Sequence, residues 1–242
     1  MRKEWILIFM LSFLLSPIRA EEDGAMFLSE HRLSGGIMGH TIGLGLDVTY
    51  ERQNRANRHH ILSLAFRSQN HSREAGIIDQ ILSREDIYTF GQDHSFYTSN
   101  LKYGQSYTLT RGYERQDVII DLRWQGGVSV GLLKPVYFEI EQDGDETVFV
   151  DKRFDPEEHT EEDIRGKSDF SKGLGEVSPV AGTTIRGGIG FRWKKNEGSY
   201  RHFEAGIGMD GFPSEIPIFA ANAENKRLFF NLFLKYSFGK SW

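Results

Sequence analysis

Alternation of apolar and polar side chains with a period of two is the feature that most constrains the fold of this chain. In the last such segment five apolar side chains share one face: Phe230, Leu232, Leu234, Tyr236 and Phe238. Successive side chains of a β-strand point to opposite faces, so the pattern predicts a strand with one apolar and one polar or glycine-rich face. The same alternation recurs at 42–51, 185–194 and 202–210.

The same analysis of the whole chain predicts an all-β fold with eight strands. We expect these strands to form an antiparallel up-and-down transmembrane β-barrel. The predicted strands lie near residues 28–38, 41–52, 58–68, 105–116, 127–140, 183–194, 200–210 and 227–239. Pro135, within the fifth strand, has no amide hydrogen to donate to a neighbouring strand, and it therefore predicts a bulge.

The links between these strands alternate in length. They are short after strands two, four and six, at 53–57, 117–126 and 195–199, and long after strands three, five and seven. Only the first link, near Gly39 and His40, breaks the alternation. Transmembrane barrels have short periplasmic turns and longer outer loops. If the first strand runs outward from the periplasm, every long link becomes an extracellular loop.

The polar face distinguishes a membrane barrel from a soluble lipocalin-like barrel, which is the main alternative fold. Glycines crowd that face, at positions 43, 45, 188, 190, 206 and 208. Glycine weakens a strand and packs against nothing, so rows of it have little purpose on a solvated surface. Inside a narrow barrel they leave room for long side chains from opposite strands. The pattern therefore favours a barrel whose apolar face meets lipid.

Charged residues of both signs fall on the same inward face: Asp47, Glu51, Arg67, Glu114, Glu139, Arg186, Arg192, Glu204 and Lys235. We expect them to pair across a lumen that side chains fill, which excludes a wide channel and leaves at most a narrow polar seam. For Glu51 and Lys235 the alternative is a position at a strand end, facing water.

The first twenty residues have the layout of a secretory signal peptide, which leaves residues 21–242 for the barrel. Arg2 and Lys3 precede an apolar run from Trp5 to Leu15, and Ala20 precedes an acidic stretch. The run is too short to cross a bilayer as a helix, so we expect export by a cleaved signal peptide to the bacterial outer membrane.

Composition excludes several classes of site. The chain has no cysteine, which rules out disulfides, zinc–thiolate centres and thiol nucleophiles. Its net charge of −5 argues against a nucleic-acid partner.

The link 141–182 is strongly acidic, with 13 acidic and 5 basic residues. Four of its residues are weak candidates for metal binding by oxygen or nitrogen, namely Asp143, Asp145, Glu146 and His159. A divalent cation there would bridge the loop to lipopolysaccharide phosphates. The alternative is a solvated acidic loop with no metal, and no other cofactor is expected.

No catalytic constellation stands out. An outer-membrane lipid-modifying hydrolase would need Ser, His and an acid on the barrel wall, and the chain offers only the adjacent pairs His71-Ser72 and His94-Ser95. An omptin-type protease would need ten strands with paired Asp and His residues near the outer rim. Asp93-His94 and His159 are present, but eight strands fit the pattern better. His59-His60 is expected to begin a strand.

The C-terminal residues resemble the signal by which insertion machinery recognises bacterial outer-membrane barrels, with Trp242 after the alternating run 232–238. Other short motifs lie in three parts of the chain. The first part has Tyr103-Gly104-Gln105 and Arg111-Gly112-Tyr113, and the second is the run 127–140. The third has His159, Ile164, Gly166, Phe170 and Lys172-Gly173, followed by Phe212-Pro213 and Ile216-Pro217-Ile218. In these motifs the chain resembles a family of Bacteroidota outer-membrane β-barrel proteins of unassigned function. The resemblance implies fold and location but no activity. The family has Pro-Gly before the sixth strand, where this chain has Val180-Ala181-Gly182.

These observations favour a structural or accessory subunit of an envelope complex, for secretion or barrel assembly. Its long outer loops would be the contact surface, because long loops usually serve binding. The alternatives are a lipid-modifying hydrolase and a narrow solute pore. Outer-membrane lipid, lipopolysaccharide and a larger outer-membrane protein complex are the expected partners.

Overall fold

Eight antiparallel strands form a closed barrel in the computed structural model, which describes residues 30–69, 92–110, 118–142, 148–153, 164–196, 198–218 and 225–242. The barrel strands are β1 (His31–His40), β2 (Gly43–Arg55), β3 (Arg58–Gln69), β4 (His94–Thr108), β5 (Ile119–Pro135), β9 (Ser178–Asn196), β10 (Ser199–Ile216) and β11 (Lys226–Ser241). Within the link after β5, strands β6 (Tyr137–Gln142), β7 (Val148–Arg153) and β8 (Ile164–Lys167) form a separate sheet in the order β7-β6-β8.

The barrel closes because the first strand pairs with the last. The order around it is β1-β11-β10-β9-β5-β4-β3-β2, and every neighbouring pair is antiparallel. Ile37 of β1, for example, pairs with Leu46 on one side and Tyr236 on the other. A closed sheet leaves no edge in the barrel wall, so backbone groups find partners within the sheet.

The fourth and fifth strands begin earlier than the sequence predicts. β4 occupies 94–108 instead of 105–116, and β5 occupies 119–135 instead of 127–140. Glycines lie inside both strands: a Cβ on Gly104 would lie 2.6 Å from the Cα of Gln125, and one on Gly127 2.8 Å from the Cα of Lys102. These glycines mark close approach of β4 and β5, not the ends of strands. Pro135 ends β5, and the predicted bulge there was wrong.

The apolar face of the barrel points outward, as predicted. Large hydrophobic side chains are exposed on all eight barrel strands, among them Ile37, Leu46, Leu64, Leu101, Val128, Ile185, Ile207 and Phe230. Ile207 is 64% exposed and Phe230 67%, although both lie within long, regular strands. A water-soluble barrel would bury this face, so the fold is that of a transmembrane barrel with lipid around it.

Inward glycines leave space for long side chains, which also confirms a prediction. A Cβ on Gly45 would lie 2.5 Å from Cγ of Arg67, and one on Gly208 would lie 3.4 Å from Cγ of Arg186. At Gly190 a Cβ would collide with His202 and Asp121. The lumen is therefore too narrow for a side chain at these positions and a long polar side chain opposite.

The two ends of the barrel differ in their links. One end carries the links 56–57, 109–118 and 197–198, together with the start of β1 and the end of β11; we call it the short-link end. The opposite, long-link end carries the links 41–42, 70–93, 136–177 and 217–225. The length alternation is confirmed for the links 56–57, 70–93, 136–177 and 197–198, but the last link, 217–225, is shorter than predicted and no longer than the link 109–118.

Aromatic rings gather on the wall near the short-link end. Trp193 contacts Tyr236 with ring centroids 6.3 Å apart, and Tyr236 contacts Phe238 at 5.1 Å. His31 stacks on Trp242 at 6.1 Å. Girdles of aromatic residues flank the apolar band of transmembrane barrels at the membrane interfaces. This end of the wall therefore lies at the level of lipid headgroups.

In the part of the chain that the structure describes, no helix is long and apolar enough to cross a membrane.

An arginine in the lipid-facing wall should destabilise the barrel. We expect Ile207→Arg to lower the free energy of unfolding in lipid vesicles by about 2–4 kcal/mol, because a cation near the bilayer midplane loses its hydration. Urea titration followed by tryptophan fluorescence would measure the change, with Ile207→Leu as the control. Equal stability of the two variants would contradict lipid contact at this position.

Candidate functional site

Arg123 is the centre of an ionic network that crosses the lumen near the short-link end. Its guanidinium lies 2.6 Å from Glu51, 3.4 Å from Asp121 and 3.3 Å from Glu204. Arg192 lies 3.8 Å from Glu51 and 3.6 Å from Asp121. These side chains are almost completely buried. Because β2 and β5 are not neighbours in the sheet, the Arg123–Glu51 pair joins separate parts of the wall.

Asp47 forms ion pairs with two lysines in the next layer of the lumen. Its carboxylate oxygens lie 3.2 Å from Nζ of Lys102 and 3.2 Å from Nζ of Lys235. The hydroxyl of Thr49 donates a third bond to it, 2.5 Å long. Lys235 also contacts Glu204 at 3.0 Å, and so it connects this layer to the network around Arg123.

Arg67 and Asp210 form the third layer, towards the long-link end. Their side chains are 2.7 Å apart and fully buried. Asn100 completes the arrangement, since its amide oxygen accepts from Arg67 at 2.6 Å and its amide nitrogen donates to Asp210 at 3.2 Å. Gln69 donates a further bond to Asp210 at 3.2 Å. Each charge is therefore hydrogen-bonded as well as paired, which offsets its desolvation.

An apolar plug closes the lumen above these layers. It consists of six buried residues: Phe96, Leu133, Phe212, Ile216, Ile218 and Phe229. The rings of Phe96 and Phe212 meet edge to face at 5.3 Å, and Phe229 lies 5.3 Å from Phe96. Ile216 and Ile218 are 0% exposed. The plug separates the ionic layers from the long-link end.

Arg186 is the exception to charge pairing in the lumen. Its Nη1 lies 2.8 Å from the sulfur of Met38, and its guanidinium lies over the ring of Phe233 at 4.9 Å. Its other two nitrogens have no hydrogen-bond partner among the residues that the structure describes. Among the described lumen residues the buried cations are Arg32, Arg67, Lys102, Arg123, Arg186, Arg192 and Lys235; the buried acids are Asp47, Glu51, Asp121, Glu204 and Asp210. Cations thus outnumber acids among the described lumen residues. Of these cations, Arg186 is the one that has no described acid within 4.0 Å.

No protein-family model and no curated protein matches this chain. Among solved structures, the chain is similar to Ail, the attachment invasion locus protein of Yersinia pestis, whose structure was solved in complex with the heparin analogue sucrose octasulfate. The identity is 10%, the match covers 89% of this chain and 100% of Ail, and the TM-score is 0.43. A second Ail structure gives 9% identity, the same coverage and a TM-score of 0.44. Neisserial surface protein A gives 6% identity over 88% of this chain and 95% of its own, with a TM-score of 0.38.

The sheet of β6, β7 and β8, which we call the outer sheet, lies outside the barrel wall at the long-link end. The amide of Val136 donates to the carbonyl of Asp93 at 2.9 Å, where β5 gives way to β6. Lys167 donates to Gln92 at 3.2 Å, and the amide of Ser168 donates to the carbonyl of Tyr137 at 2.9 Å. These bonds hold the outer sheet against the rim of β4 and β5.

Surface ion pairs tie the outer sheet to the segment that follows it. Lys172 lies 2.9 Å from Asp151; its hydrogen bond lowers the pKa of Asp151, and the carboxylate raises the pKa of Lys172. Glu176 accepts from Tyr137 at 2.7 Å and from Arg153 at 2.5 Å. Both shifts favour the charged forms of the two side chains.

The structure confirms most of the predicted lumen charges. Asp47, Glu51, Arg67, Arg186, Arg192, Glu204 and Lys235 are all buried inside the barrel. Glu51 and Lys235 are paired, so the water-facing alternative was wrong for both. Glu139 was wrongly assigned to the lumen, since it lies in β6 of the outer sheet, and Glu114 lies outside the described residues.

Sequence reasoning missed five lumen residues with central roles: Lys102, Asp121, Arg123, Asp210 and Asn100. Lys102 and Asn100 fell in a predicted loop, and Asp121 and Arg123 fell in a predicted turn, because β4 and β5 were placed too late. Asp210 was recognised only as a member of an alternating strand. The alternation Asp121-Leu122-Arg123-Trp124 was the signal that could have found two of them.

The weak metal candidates Asp143, Asp145, Glu146 and His159 all lie outside the described residues, as do His71 and Ser72. Elsewhere in the described chain no three His, Cys, Asp or Glu side chains group in a way that could hold a metal ion. His94 contacts Asp93 at 3.0 Å and the carbonyl of Pro217 at 3.0 Å. Ser95 lies on the opposite face of β4, so the His94-Ser95 pair forms no catalytic dyad. His59-His60 lies at the start of β3, as predicted.

Two arginine substitutions in the lumen should have different effects on the free energy of unfolding. Arg67→Met leaves Asp210 without its cation and should lower the free energy of unfolding by about 3–5 kcal/mol. Arg186→Met removes a cation that has no acid partner and adds an apolar side chain beside Met38 and Phe233, so stability should stay equal or rise. Urea unfolding in vesicles would compare them. Equal losses for both variants would contradict the assignment of Arg186 as the unpaired cation.

Proposed function

We propose that this protein is a bacterial outer-membrane barrel that serves as a structural or accessory subunit of a larger envelope complex. In this proposal the barrel is an anchor, and the outer sheet with its flanking segment is the surface that contacts a partner protein. The short-link end faces the periplasm and the long-link end faces outward. The observation that carries the proposal is the filled lumen beneath an ordered sheet outside the wall.

The lumen supports an anchoring role because its layers leave no conduit for solute. Three layers of paired side chains, centred on Arg123, Asp47 and Arg67, lie below the apolar plug. Charged groups held this tightly have a structural role, since moving them apart would expose unpaired charge in a narrow space. This arrangement disfavours the alternative of a narrow solute pore.

The outward wall supports a location in the outer membrane. Backbone in lipid must be satisfied internally, so only helices and closed barrels span bilayers, and bacterial outer membranes are where such barrels reside. The apolar band and the aromatic rings at the short-link end match that environment.

The outer sheet supports partner binding in two ways. Phe170 is 65% exposed and Leu174 50% exposed, although both lie in an ordered segment fixed by the pair Lys172–Asp151. Within the described residues β7 and β8 each pair on one side only. Exposed apolar side chains, and strands that pair on one side only, are each features of surfaces that accept another protein chain.

A partner at the outer sheet can be captured by a photo-crosslinking side chain. We expect p-benzoylphenylalanine at Phe170 or Leu174 to yield a discrete heavier species in native membranes, because these positions lie on the proposed contact surface. Leu109, which is 57% exposed near the short-link end, is the matched control and should give no such species. Mass spectrometry of the crosslinked band would identify the partner. Equal crosslinking at Leu109, or none at either test position, would count against the proposal.

Planar-bilayer recording tests the anchoring role separately. We expect purified barrels to insert without measurable conductance, because the ionic layers and the plug fill the lumen. Phe212→Ala combined with Phe229→Ala opens the plug without touching the ionic layers, and conductance should stay absent. Stable single-channel openings of the unaltered chain would overturn the anchoring role in favour of a pore.

A further inference from the structure

A groove runs along the lipid-facing wall at the short-link end, where β1, β10 and β11 meet. Its volume is about 650 Å³, within the range of about 300–1,000 Å³ typical of ligand sites. Apolar side chains dominate its walls, namely Leu33, Val48, Phe238 and Trp242. Each of these is exposed by roughly half or more, so the groove opens to the surroundings of the barrel.

Gly35 forms a notch in the groove. It pairs with Val48 of β2 and with Phe238 of β11, and the flanking positions on its face of β1 are Leu33 and Ile37. A Cβ built on Gly35 would meet no atom within 4 Å. The notch is therefore an apolar depression between large side chains.

Three basic side chains line the same groove towards the end of the barrel: Lys195, Arg201 and Lys240. The strand register brings them together, since Lys240 pairs with Ser199, two residues before Arg201 on β10. The guanidinium of Arg201 lies over the ring of Phe238 at 4.4 Å. The ion pairs of the described residues include none formed by these three side chains.

We propose that this groove binds one anionic phospholipid of the periplasmic leaflet. An acyl chain lies in the notch at Gly35, and the phosphate contacts the basic side chains. The assignment rests on the proposed membrane location and orientation. The apolar notch is continuous with three cations that form no ion pair with a described residue and lie at headgroup depth. This combination matches a molecule with a hydrocarbon tail and an anionic head.

Native mass spectrometry of the purified full chain, titrated with palmitoyl-oleoyl-phosphatidylglycerol in neutral detergent, tests the site. We expect one retained lipid, and weaker retention of the phosphatidylcholine analogue. Lys195→Gln with Lys240→Gln should weaken phosphatidylglycerol binding about 25-fold, at about fivefold for each basic side chain near a headgroup. Arg52→Gln with Arg55→Gln removes two exposed cations from β2 at the same end of the barrel and outside the groove, and should leave binding unchanged.

Gly35→Leu tests the acyl-chain contact without changing charge. It should lower affinity for both lipids about tenfold, the equivalent of about two methylene groups kept out of the notch. Gly35→Val supplies a smaller side chain in the notch if Gly35→Leu fails to fold, since a Cβ on Gly35 meets no atom within 4 Å. Equal binding of the two lipids, equal effects of the two double variants, or no retained lipid would each overturn the site.

Failure of this site and failure of the proposed function are distinguishable. Membrane fractionation of the unaltered chain tests its location without any lipid titration. A chain found in the outer membrane that retains no phosphatidylglycerol overturns the lipid site alone. A chain found in soluble fractions overturns both.

Discussion

Closure of the hydrogen-bonded sheet is the constraint on which the rest of this structure depends. A strand in lipid has no water to satisfy its amides and carbonyls, so each must pair with a neighbour on both sides. Pairing of β1 with β11 meets this demand, and it also encloses a narrow lumen that long polar side chains occupy. Charged groups on the inward face then pair with one another, with Arg186 as the exception. The layers around Arg123, Asp47 and Arg67 are the result.

The same constraint separates the roles of the two faces. Outward residues need only be compatible with hydrocarbon, and large apolar side chains occupy this face on every barrel strand. Inward residues must complement each other across the lumen, so their identities are specific. Function that needs recognition is consequently left to the parts outside the wall, which here are the outer sheet and the headgroup-level groove beside Gly35.

Alternation along single strands was sufficient to predict that Asp47, Arg186 and Glu204 point into the lumen. The direction of a side chain depends only on whether its position in the strand is odd or even. It could not predict which charges would meet. Arg67 and Asp210 are 143 residues apart in the chain, and their contact follows from the curvature of the closed sheet. The main error was the late placement of β4 and β5, inside which Gly104 and Gly127 allow the two strands to approach closely. The plug was missed because Ile216 and Ile218 lie beside prolines in what the sequence predicts to be a loop.

The position of Lys235 has a consequence for assembly order. It lies on the last strand, yet it contacts carboxylates of both β2 and β10, at Asp47 and Glu204. In an open sheet that lacks β11, Asp47 would keep its contact with Lys102 and Glu204 its contact with Arg123, but each would lose the second cation that Lys235 supplies. The final strand therefore completes the ionic layers in the same step in which it joins β1 and closes the cylinder.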